Sequence, residues 1–192
     1  MGALMLDRRA LVHELLIDRG DLLVVSGLGA STFDVAAAGD HPLNFYLWGA
    51  MGGTAMTGLG LALARRDRRV AVLTGDGDML MGLGSLATIG AKAPKNLVVV
   101  VLDNGRYGET GMQESATDAG IDLVAVARAC RFAHARETSR IEDAAEIRAL
   151  LHRGAGPILI RARIAVEEVS RVLPLRDGHA IKERFVAALG AA

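Results

Sequence analysis

The sequence predicts an α/β protein, a single doubly wound domain over residues 1–192 in which helices flank a mostly parallel sheet. Short apolar segments that favour strands alternate with segments that carry apolar residues at helical spacing, as in βαβ units. The clearest strand is KNLVVVVLDN, residues 95–104, because four consecutive valines are typical of the buried centre of a parallel sheet. Since 51% of the 192 residues are hydrophobic and only 4% are aromatic, we expect one core built from small side chains.

The elements of the first half alternate from the start. Residues 7–19 have helical spacing and stop at a glycine, and residues 21–27 are a short apolar strand. The stretch GLGASTFDVAAAGDHPLN, which begins at Gly27, is rich in turn-forming residues and is predicted to be a loop. Residues 50–66 are predicted to be a helix, although five glycines in or just before it each cost about 1 kcal/mol relative to alanine. Those glycines indicate close approach to another backbone or to a ligand.

The second half continues the same alternation. A strand at residues 68–75 is buried on both faces by its composition, and a helix at residues 82–93 separates it from the strand at 95–104. A glycine-rich loop occupies residues 105–120. The remaining predicted elements are helices at 121–130, 141–152 and 179–189 and strands at 132–135 and 157–164.

Composition and charge exclude several classes of protein. Lys and Arg number 22, as do Asp and Glu, so the net charge is zero and lacks the basic excess of a nucleic-acid-binding protein. No uncharged run reaches the ~18 residues of a membrane span, and Asp7, Arg8 and Arg9 interrupt the N-terminus before an apolar signal segment forms. The one cysteine, Cys130, excludes an internal disulfide and fits a reducing compartment. We expect a cytoplasmic protein with no nucleic-acid or membrane partner.

The stretch GLGAST, residues 27–32, follows a strand and has the opening of a dinucleotide-binding turn. Thr32 replaces the third glycine of that pattern. Tyr46, Leu47 and Trp48 stand where an acidic residue is expected at the end of the next strand. Three interpretations stay open at this point: a nicotinamide site, a small-residue loop beside a phosphate, and a plain turn.

A second glycine-containing stretch, VLTGDGDMLMG at residues 72–82, ends an apolar strand on Gly75 and Asp76. The next strand ends at Asn104. Because a right-handed crossover brings the carboxyl ends of parallel strands to one edge, both side chains are expected to point into the same crevice. One charged and one neutral oxygen suit Mg²⁺, which takes a few protein ligands together with substrate phosphates. The alternative is a Gly-Asp-Gly turn and an ordinary strand-ending asparagine.

Two further features of the same region bear on a phosphorylated ligand. The N–H groups of Gly77, Asp78 and Met79 lie where a helix begins, and such groups can receive a phosphate. Met51 sits among small residues at a helix start in LWGAMGGTAM, residues 47–56. Taken alone, Met51 fits a core or interface position as well as a functional one.

The pair GDGDML and LDNGRYG resembles the cofactor motif of thiamine diphosphate enzymes, in which Asn-Asn or Asp-Asn follows Gly-Asp-Gly after about two dozen residues. WGAMGGTAMTGLGLALA resembles the stretch just upstream in the same domain, so the resemblance covers roughly residues 20–165. Within the family, the chain length and DNGRYGETG are most similar to the small subunits of split 2-oxo acid decarboxylases that act on sulfopyruvate or phosphonopyruvate. The tail LPLRDGHAIKERF is similar to that group as well.

The resemblance implies a role for each motif residue. Asp76 and Asn104 would bind Mg²⁺, with the backbone carbonyl of Arg106 as the third ligand. Met51 would hold the cofactor in the bent form that brings its 4′-amino group near the thiazolium C2, and Gly77 and Asp78 would contact the diphosphate or the aminopyrimidine. The other implied cofactor-binding positions are Gly29, Ala30, Ser31, Gly49, Gly75, Met79, Tyr107 and Gly108. Asp103, in place of the commoner asparagine, is not expected to bind the metal.

Candidate groups for the substrate lie around the same loop. Some relatives carry a catalytic side chain just after the Asn loop, where this chain has Glu109 and Thr110; a solvated loop acid is the alternative for Glu109. His41 lies in the loop nearest the predicted site. An anionic substrate tail would need cations, and those available are Arg106, Arg161, Arg171 and Arg176, each of which also fits an ordinary surface arginine.

The resemblance also implies a partner. In the family, a glutamate from a separate pyrimidine-binding domain hydrogen-bonds the aminopyrimidine and drives formation of the C2 ylide. That domain needs ~170 residues, which a chain of 192 residues cannot also hold. We therefore expect a second subunit to supply the glutamate, with the site at the interface and a small 2-oxo acid as the substrate. The alternatives are a carboligating enzyme of the acetolactate type, a 2-oxo acid oxidising enzyme, a non-catalytic partner-binding module and a nicotinamide enzyme.

Overall fold

The computed structural model describes residues 5–190 and contains a six-stranded sheet and a small hairpin. The strands of the sheet are β1 (Leu23–Ser26), β2 (Asn44–Tyr46), β3 (Val70–Gly75), β4 (Leu97–Asp103), β7 (His134–Thr138) and β8 (Ile158–Arg163). Their order is β2-β1-β3-β4-β8-β7, and each neighbouring pair is parallel. The hairpin consists of β5 (Arg106–Tyr107) and β6 (Gln113–Glu114). The ends of the predicted domain, residues 1–4 and 191–192, lie outside the described residues.

Helices cover both faces of the sheet. They are α1 (Arg8–Leu16), α2 (Ala30–Ala37), α3 (Thr54–Ala64), α4 (Asp76–Met81), α5 (Ser85–Lys92), α6 (Leu123–Ala129), α7 (Ala144–Arg153) and α8 (Gly178–Leu189). One core cluster contains side chains of α1, α2 and α7, and the other contains side chains of α3, α5 and α6. The α/β class and the mostly parallel sheet are therefore confirmed. Over residues 5–190, none of these helices is both long enough and apolar enough to cross a membrane.

Strand β4 lies at the centre of both cores. All seven of its residues are buried, and alternate side chains enter opposite clusters: Val98 and Val100 face one, Val99 and Val101 the other. Burying each such side chain contributes roughly 1.5–3 kcal/mol, so the valine run stabilises the contact between the two helical layers. The sequence placed this strand correctly because only a strand buried on both faces uses apolar residues without alternation.

Several predicted boundaries were wrong. The predicted loop after Gly27 contains helix α2, because Phe33 and Val35 bury their side chains and the hydroxyl of Thr32 donates to the Gly27 carbonyl at 2.6 Å. Strand β3 ends at Gly75 as predicted, and α4 follows directly from Asp76, whereas the helix predicted at residues 82–93 begins only at Ser85. Helix α3 is shorter than predicted, and the glycine-rich loop holds the β5–β6 hairpin.

The glycines of α3 provide a matched test of packing. A Cβ on Gly58 would meet the Val72 side chain at 2.2 Å, whereas a Cβ on Gly60 has no atom within 4 Å. We expect Gly58→Ala to destabilise the protein, since overpacking costs about 1–3 kcal/mol. Gly60→Ala should instead stabilise it by about 1 kcal/mol through helix propensity. Urea denaturation of both variants measures the difference, and equal effects would contradict the tight contact at Gly58.

Candidate functional site

The carboxyl ends of β1, β3, β4 and β8 meet at one edge of the sheet, beside a cavity of about 270 Å³. Most of the predicted site residues line it: Ala30, Ser31, Met51, Gly75, Asp76, Gly77, Asp78, Asn104, Arg106, Tyr107, Gly108 and Glu109. The lining also includes residues that the sequence did not indicate: Arg8, Leu28, Met81, Leu102 and Ile164. The prediction that Asp76 and Asn104 share one crevice is confirmed, because β3 and β4 are parallel neighbours.

Asp76 is buried at the first position of α4, and the Ser115 hydroxyl holds its carboxylate. Ser115 donates to Oδ2, and Thr117 lies 3.3 Å from the same oxygen. Burial raises the pKa of Asp76 above its ordinary value, and the charge of Asp103 raises it further, against the Ser115 hydrogen bond. Since Oδ1 accepts no side-chain hydrogen bond within residues 5–190, one oxygen of this carboxylate stays available to a ligand.

Asp103 belongs to the support of the site and not to its lining. Its carboxylate accepts hydrogen bonds from Arg161 at 2.5 Å, from Thr117 at 2.8 Å and from the Gly105 N–H at 2.9 Å. Thr117 therefore links Asp103 to Asp76. The same contacts bury Arg161. Arg161 is therefore not available to bind a substrate, although the sequence analysis had counted it among the candidate cations.

Asn104 lines the cavity at the end of β4. Its Oδ1 accepts a hydrogen bond from the Arg106 N–H at 3.0 Å, which orients the amide and leaves a second lone pair on the oxygen. The Arg106 side chain pairs with Glu114 at 3.0 Å and with Asp118 at 3.4 Å. Arg106 is therefore compensated by two carboxylates.

The oxygen donors at this edge fit a hard cation. Asp76 and Asn104 provide two oxygens, while within residues 5–190 no group of three or more His, Cys, Asp or Glu side chains is placed to hold a metal. A cation here would complete its shell with backbone, water or phosphate oxygens, which is how Mg²⁺ is usually held. The donor set thus favours Mg²⁺ with a phosphorylated ligand over an all-protein metal cage.

Asp78 fastens the Met51 loop to α4. Its Oδ1 accepts the Gly52 N–H and its Oδ2 accepts the Thr74 hydroxyl, so both oxygens are committed to the protein. The backbone of Gly52 also approaches Gly82 so closely that a Cβ on Gly82 would lie 2.2 Å from the Gly52 carbonyl oxygen. This contact explains Gly52 and Gly82, and for Gly52 it confirms the close backbone approach that the glycines around the helix predicted at residues 50–66 had indicated. The structure therefore gives the Asp78 carboxylate a role in positioning Met51.

Removing the Asp78 carboxylate should destabilise the protein. In Asp78→Ala, the Gly52 N–H and the Thr74 hydroxyl lose their acceptor in a buried place, and each unsatisfied donor costs about 1–3 kcal/mol. We expect the free energy of unfolding to fall by about 3 kcal/mol in total. Thr74→Val removes one donor and leaves the other bond intact, so its effect should be smaller. Wild-type stability of Asp78→Ala in urea denaturation would refute the fastening role.

Gly77 forms the floor of the cavity beneath two side chains. A Cβ at Gly77 would lie 2.7 Å from the Tyr107 ring and 3.1 Å from Cε of Met51. Met51 and Tyr107 therefore converge over a position that only glycine leaves open. This arrangement places the predicted Met51 directly beside the Gly-Asp-Gly turn.

Glu109 stands at the rim of the cavity. Its Oε1 would be 2.8 Å from a Cβ on Gly29, and its Oε2 lies 4.0 Å from Arg171, whose guanidinium stacks over Phe33.

His41 does not line the cavity, and burial lowers its pKa below the ordinary value of 6.5, with the charge of Arg19 acting in the same direction.

Three predicted cofactor-binding residues do not line the cavity. Gly29 lies behind Glu109 with a positive φ of 75°, and Gly49 is exposed in the loop before α3. Met79 is 1% exposed and packs its side chain into the core. Only the backbone of Met79 lies close to the Gly-Asp-Gly turn.

Comparison of the chain with known protein families agrees with this geometry. Residues 27–162 match the family described as the C-terminal TPP-binding domain of thiamine pyrophosphate enzymes, and thiamine pyrophosphate is another name for thiamine diphosphate. The chain belongs to this family. The resemblance carried by GDGDML and LDNGRYG is therefore confirmed.

Two of the relatives that the chain resembles differ in length. The chain is 43% identical over 144 residues to a phosphonopyruvate decarboxylase from Streptomyces viridochromogenes, covering 75% of this chain and 36% of that protein. It is 35% identical over 173 residues to the sulfopyruvate decarboxylase subunit beta of Methanococcus maripaludis, covering 88% of this chain and 90% of that subunit. The chain thus spans about a third of the first relative and nearly all of the second.

Solved structures agree on the fold. Benzoylformate decarboxylase from Polynucleobacter necessarius superposes with a TM-score of 0.71 at 19% identity, over 84% of this chain and 34% of that one. At this identity the likeness shows the fold alone. The thiamine diphosphate-binding fold that the motifs implied is confirmed.

Proposed function

We propose that the chain is a single-domain thiamine diphosphate- and Mg²⁺-binding subunit of a 2-oxo acid decarboxylase of the sulfopyruvate or phosphonopyruvate type. The observation that carries the proposal is the placement of Asp76 and Asn104 at the ends of neighbouring parallel strands, facing one cavity with Met51. These oxygens suit Mg²⁺, and an Mg²⁺ ion suits a diphosphate. The names of the relatives supply the reaction and the kind of substrate.

Each element of the site has a defined task in this proposal. Asp76, Asn104 and the backbone carbonyl of Arg106 bind Mg²⁺. When bound, thiamine diphosphate supplies the electron sink for the pair that carbon dioxide leaves behind. Met51, whose Cε lies beside Gly77, would support the bound cofactor. Closure of the cavity by the partner subunit would exclude water, which strengthens the electrostatic interactions inside it.

Two residue groups complete the proposed machinery. Ser115 fixes the Asp76 carboxylate, Thr117 holds the neighbouring Asp103, and Asp78 fixes the loop that carries Met51. Glu109, at the cavity rim, is the proposed catalytic side chain, which would transfer a proton at the reacting carbon.

The proposal includes a partner. A pyrimidine-binding subunit would supply the activating glutamate and close the site in a hetero-oligomer, which we place in the cytoplasm. The name of the M. maripaludis relative, a subunit beta, supports this division of labour. A cavity of about 270 Å³ lies just below the ~300 Å³ at which small-molecule sites begin, as expected of a site that a second chain extends.

Calorimetry and product analysis test the proposal in sequence. Thiamine diphosphate with Mg²⁺ should release heat on binding to the chain assembled with a pyrimidine-domain subunit, and EDTA should remove that heat. The assembled enzyme should then convert a 2-oxo acid to an aldehyde and carbon dioxide. An acetohydroxy acid or an acyl-transfer product would assign a carboligating or oxidising enzyme instead. No binding heat with any partner would support a non-catalytic module.

A further inference from the structure

Arg8 reaches the site from a distant part of the sequence. Leu6 pairs in parallel with Ile164 just beyond the end of β8, and its carbonyl accepts the Ala165 N–H at 2.9 Å. Asp7 then caps α1, so Arg8 is the first helical residue at the carboxyl edge of the sheet. Its side chain is 9% exposed and lines the cavity together with Ile164. Arg8 thereby contributes to the wall of the proposed active site.

The charge of Arg8 is only partly compensated. Its Nη1 donates to the fully buried Asp34 at 2.5 Å, but Arg9 also pairs with Asp34 at 3.2 Å. Two guanidinium groups thus share one carboxylate and leave an excess positive charge. Within residues 5–190, Asp34 is the only side chain that Arg8 pairs with, whereas a guanidinium has five N–H donors.

Comparison with the other cation of the lining singles out Arg8. Arg106 pairs with two carboxylates, Glu114 and Asp118. The ionisable acids of the lining, Asp76, Asp78 and Glu109, would repel an anionic substrate. An anion in this cavity therefore finds its least compensated cation at Arg8.

We infer that Arg8 binds the second anionic group of the substrate, a tetrahedral sulfonate or phosphonate on carbon 3 of a 2-oxo acid. The inference rests on the proposed function and adds to it the residue that selects such a substrate over a 2-oxo acid with an uncharged tail. Asp34 acts as the positioning residue that holds Arg8. The planar fork of a guanidinium matches two oxygens of a tetrahedral oxyanion, which an ammonium group does not.

The chain offers a matched control for this assignment. Arg8→Gln and Arg9→Gln each remove one guanidinium from Asp34, but Arg9 lines a different surface cavity beside His13 and not the site. In the enzyme assembled with its pyrimidine-domain subunit, we would compare kcat/KM for sulfopyruvate and phosphonopyruvate with kcat/KM for pyruvate. Arg8→Gln should lower the ratio of anionic to uncharged tail by about 10- to 100-fold, the range for charge-assisted hydrogen bonds. Arg9→Gln leaves the Arg8 guanidinium in place and removes only the second partner of Asp34, so it should lower that ratio far less than Arg8→Gln does.

A binding measurement gives a second readout. Calorimetry with 3-sulfopropanoate, which carries a carboxylate and a sulfonate but no keto group, should show weaker binding to Arg8→Gln, while butanoate should show no change. If Arg8→Gln does not fold, Arg8→Lys keeps the charge without the fork and should still lower the kcat/KM ratio several-fold.

Several outcomes would overturn the assignment. An equal loss of kcat/KM for all three substrates would make Arg8 a structural residue. A raised Kd for thiamine diphosphate with an unchanged ratio would assign Arg8 to the cofactor. If the wild-type assembly turns over no 2-oxo acid, the proposed function fails and this inference fails with it, whereas turnover with an unaffected ratio in the variant removes the inference alone.

Discussion

Asp76→Asn is expected to abolish Mg²⁺-dependent binding of thiamine diphosphate while leaving the protein folded. The substitution keeps the shape of the side chain and an oxygen for Ser115, but it removes the charge that opposes the cation. Loss of one partner from a buried charge pair costs about 3–5 kcal/mol, or roughly two to four orders of magnitude in affinity. Calorimetry with Mg²⁺ and the cofactor measures the loss. Asp67→Asn, an exposed acid paired with Arg65, is the control and should bind normally.

Although Asp76→Asn is expected to weaken cofactor binding, it should not lower the stability of the metal-free protein at neutral pH. Burial, with the charge of Asp103, raises the pKa of Asp76 above 3.8, so the ionised form is disfavoured in the fold. The stability that this carboxyl contributes is complete below pH 3.8 and is lost as the pH rises through the raised pKa of the folded state. The asparagine of Asp76→Asn does not titrate in this pH range. Above it, the variant should therefore be at least as stable as the wild-type protein. Thermal unfolding in EDTA across pH 3–7 checks this, and a less stable variant at neutral pH would contradict it.

The central features of the site could be predicted from the sequence because they obey local rules. The run of valines identifies a strand buried on both faces, and parallel strands joined by right-handed crossovers end at one edge. Two polar residues at two such strand ends must therefore lie close together. Asp76 and Asn104 met this condition, and the structure places both in one cavity.

Other parts of the site depend on contacts between distant segments. Ser115 and Thr117 reach Asp76 only because the β5–β6 hairpin folds back over the edge of the sheet. Arg8 arrives through the bridge between Leu6 and Ile164, which no periodicity of the sequence indicates.

The error at α2 shows how burial overrides local preference. Gly27, Gly29, Ser31 and Thr32 all favour a turn, and the loop prediction followed their propensities. In the structure, Gly29 adopts a positive φ and starts the helix, after which the apolar residues of α2 pack against the sheet. The tertiary contact decides the conformation, because a single buried side chain contributes more than a few unfavourable propensities.

Met51→Ala should lower kcat by about 100-fold while changing cofactor affinity only slightly. Met51 lines the cavity, and its Cε approaches Gly77 beside the Tyr107 ring. Its loss removes the support that fixes the reacting groups of the bound cofactor, and a displacement of about 1 Å can cost 10²-fold in rate. The diphosphate end depends on Asp76 and Asn104 instead, so the Kd for thiamine diphosphate should stay within a few-fold of the wild-type value. Met51→Leu restores the volume and should recover most of the rate, since swaps of similar volume are tolerated. A parallel rise in Kd and fall in kcat for Met51→Ala would instead assign Met51 to binding alone.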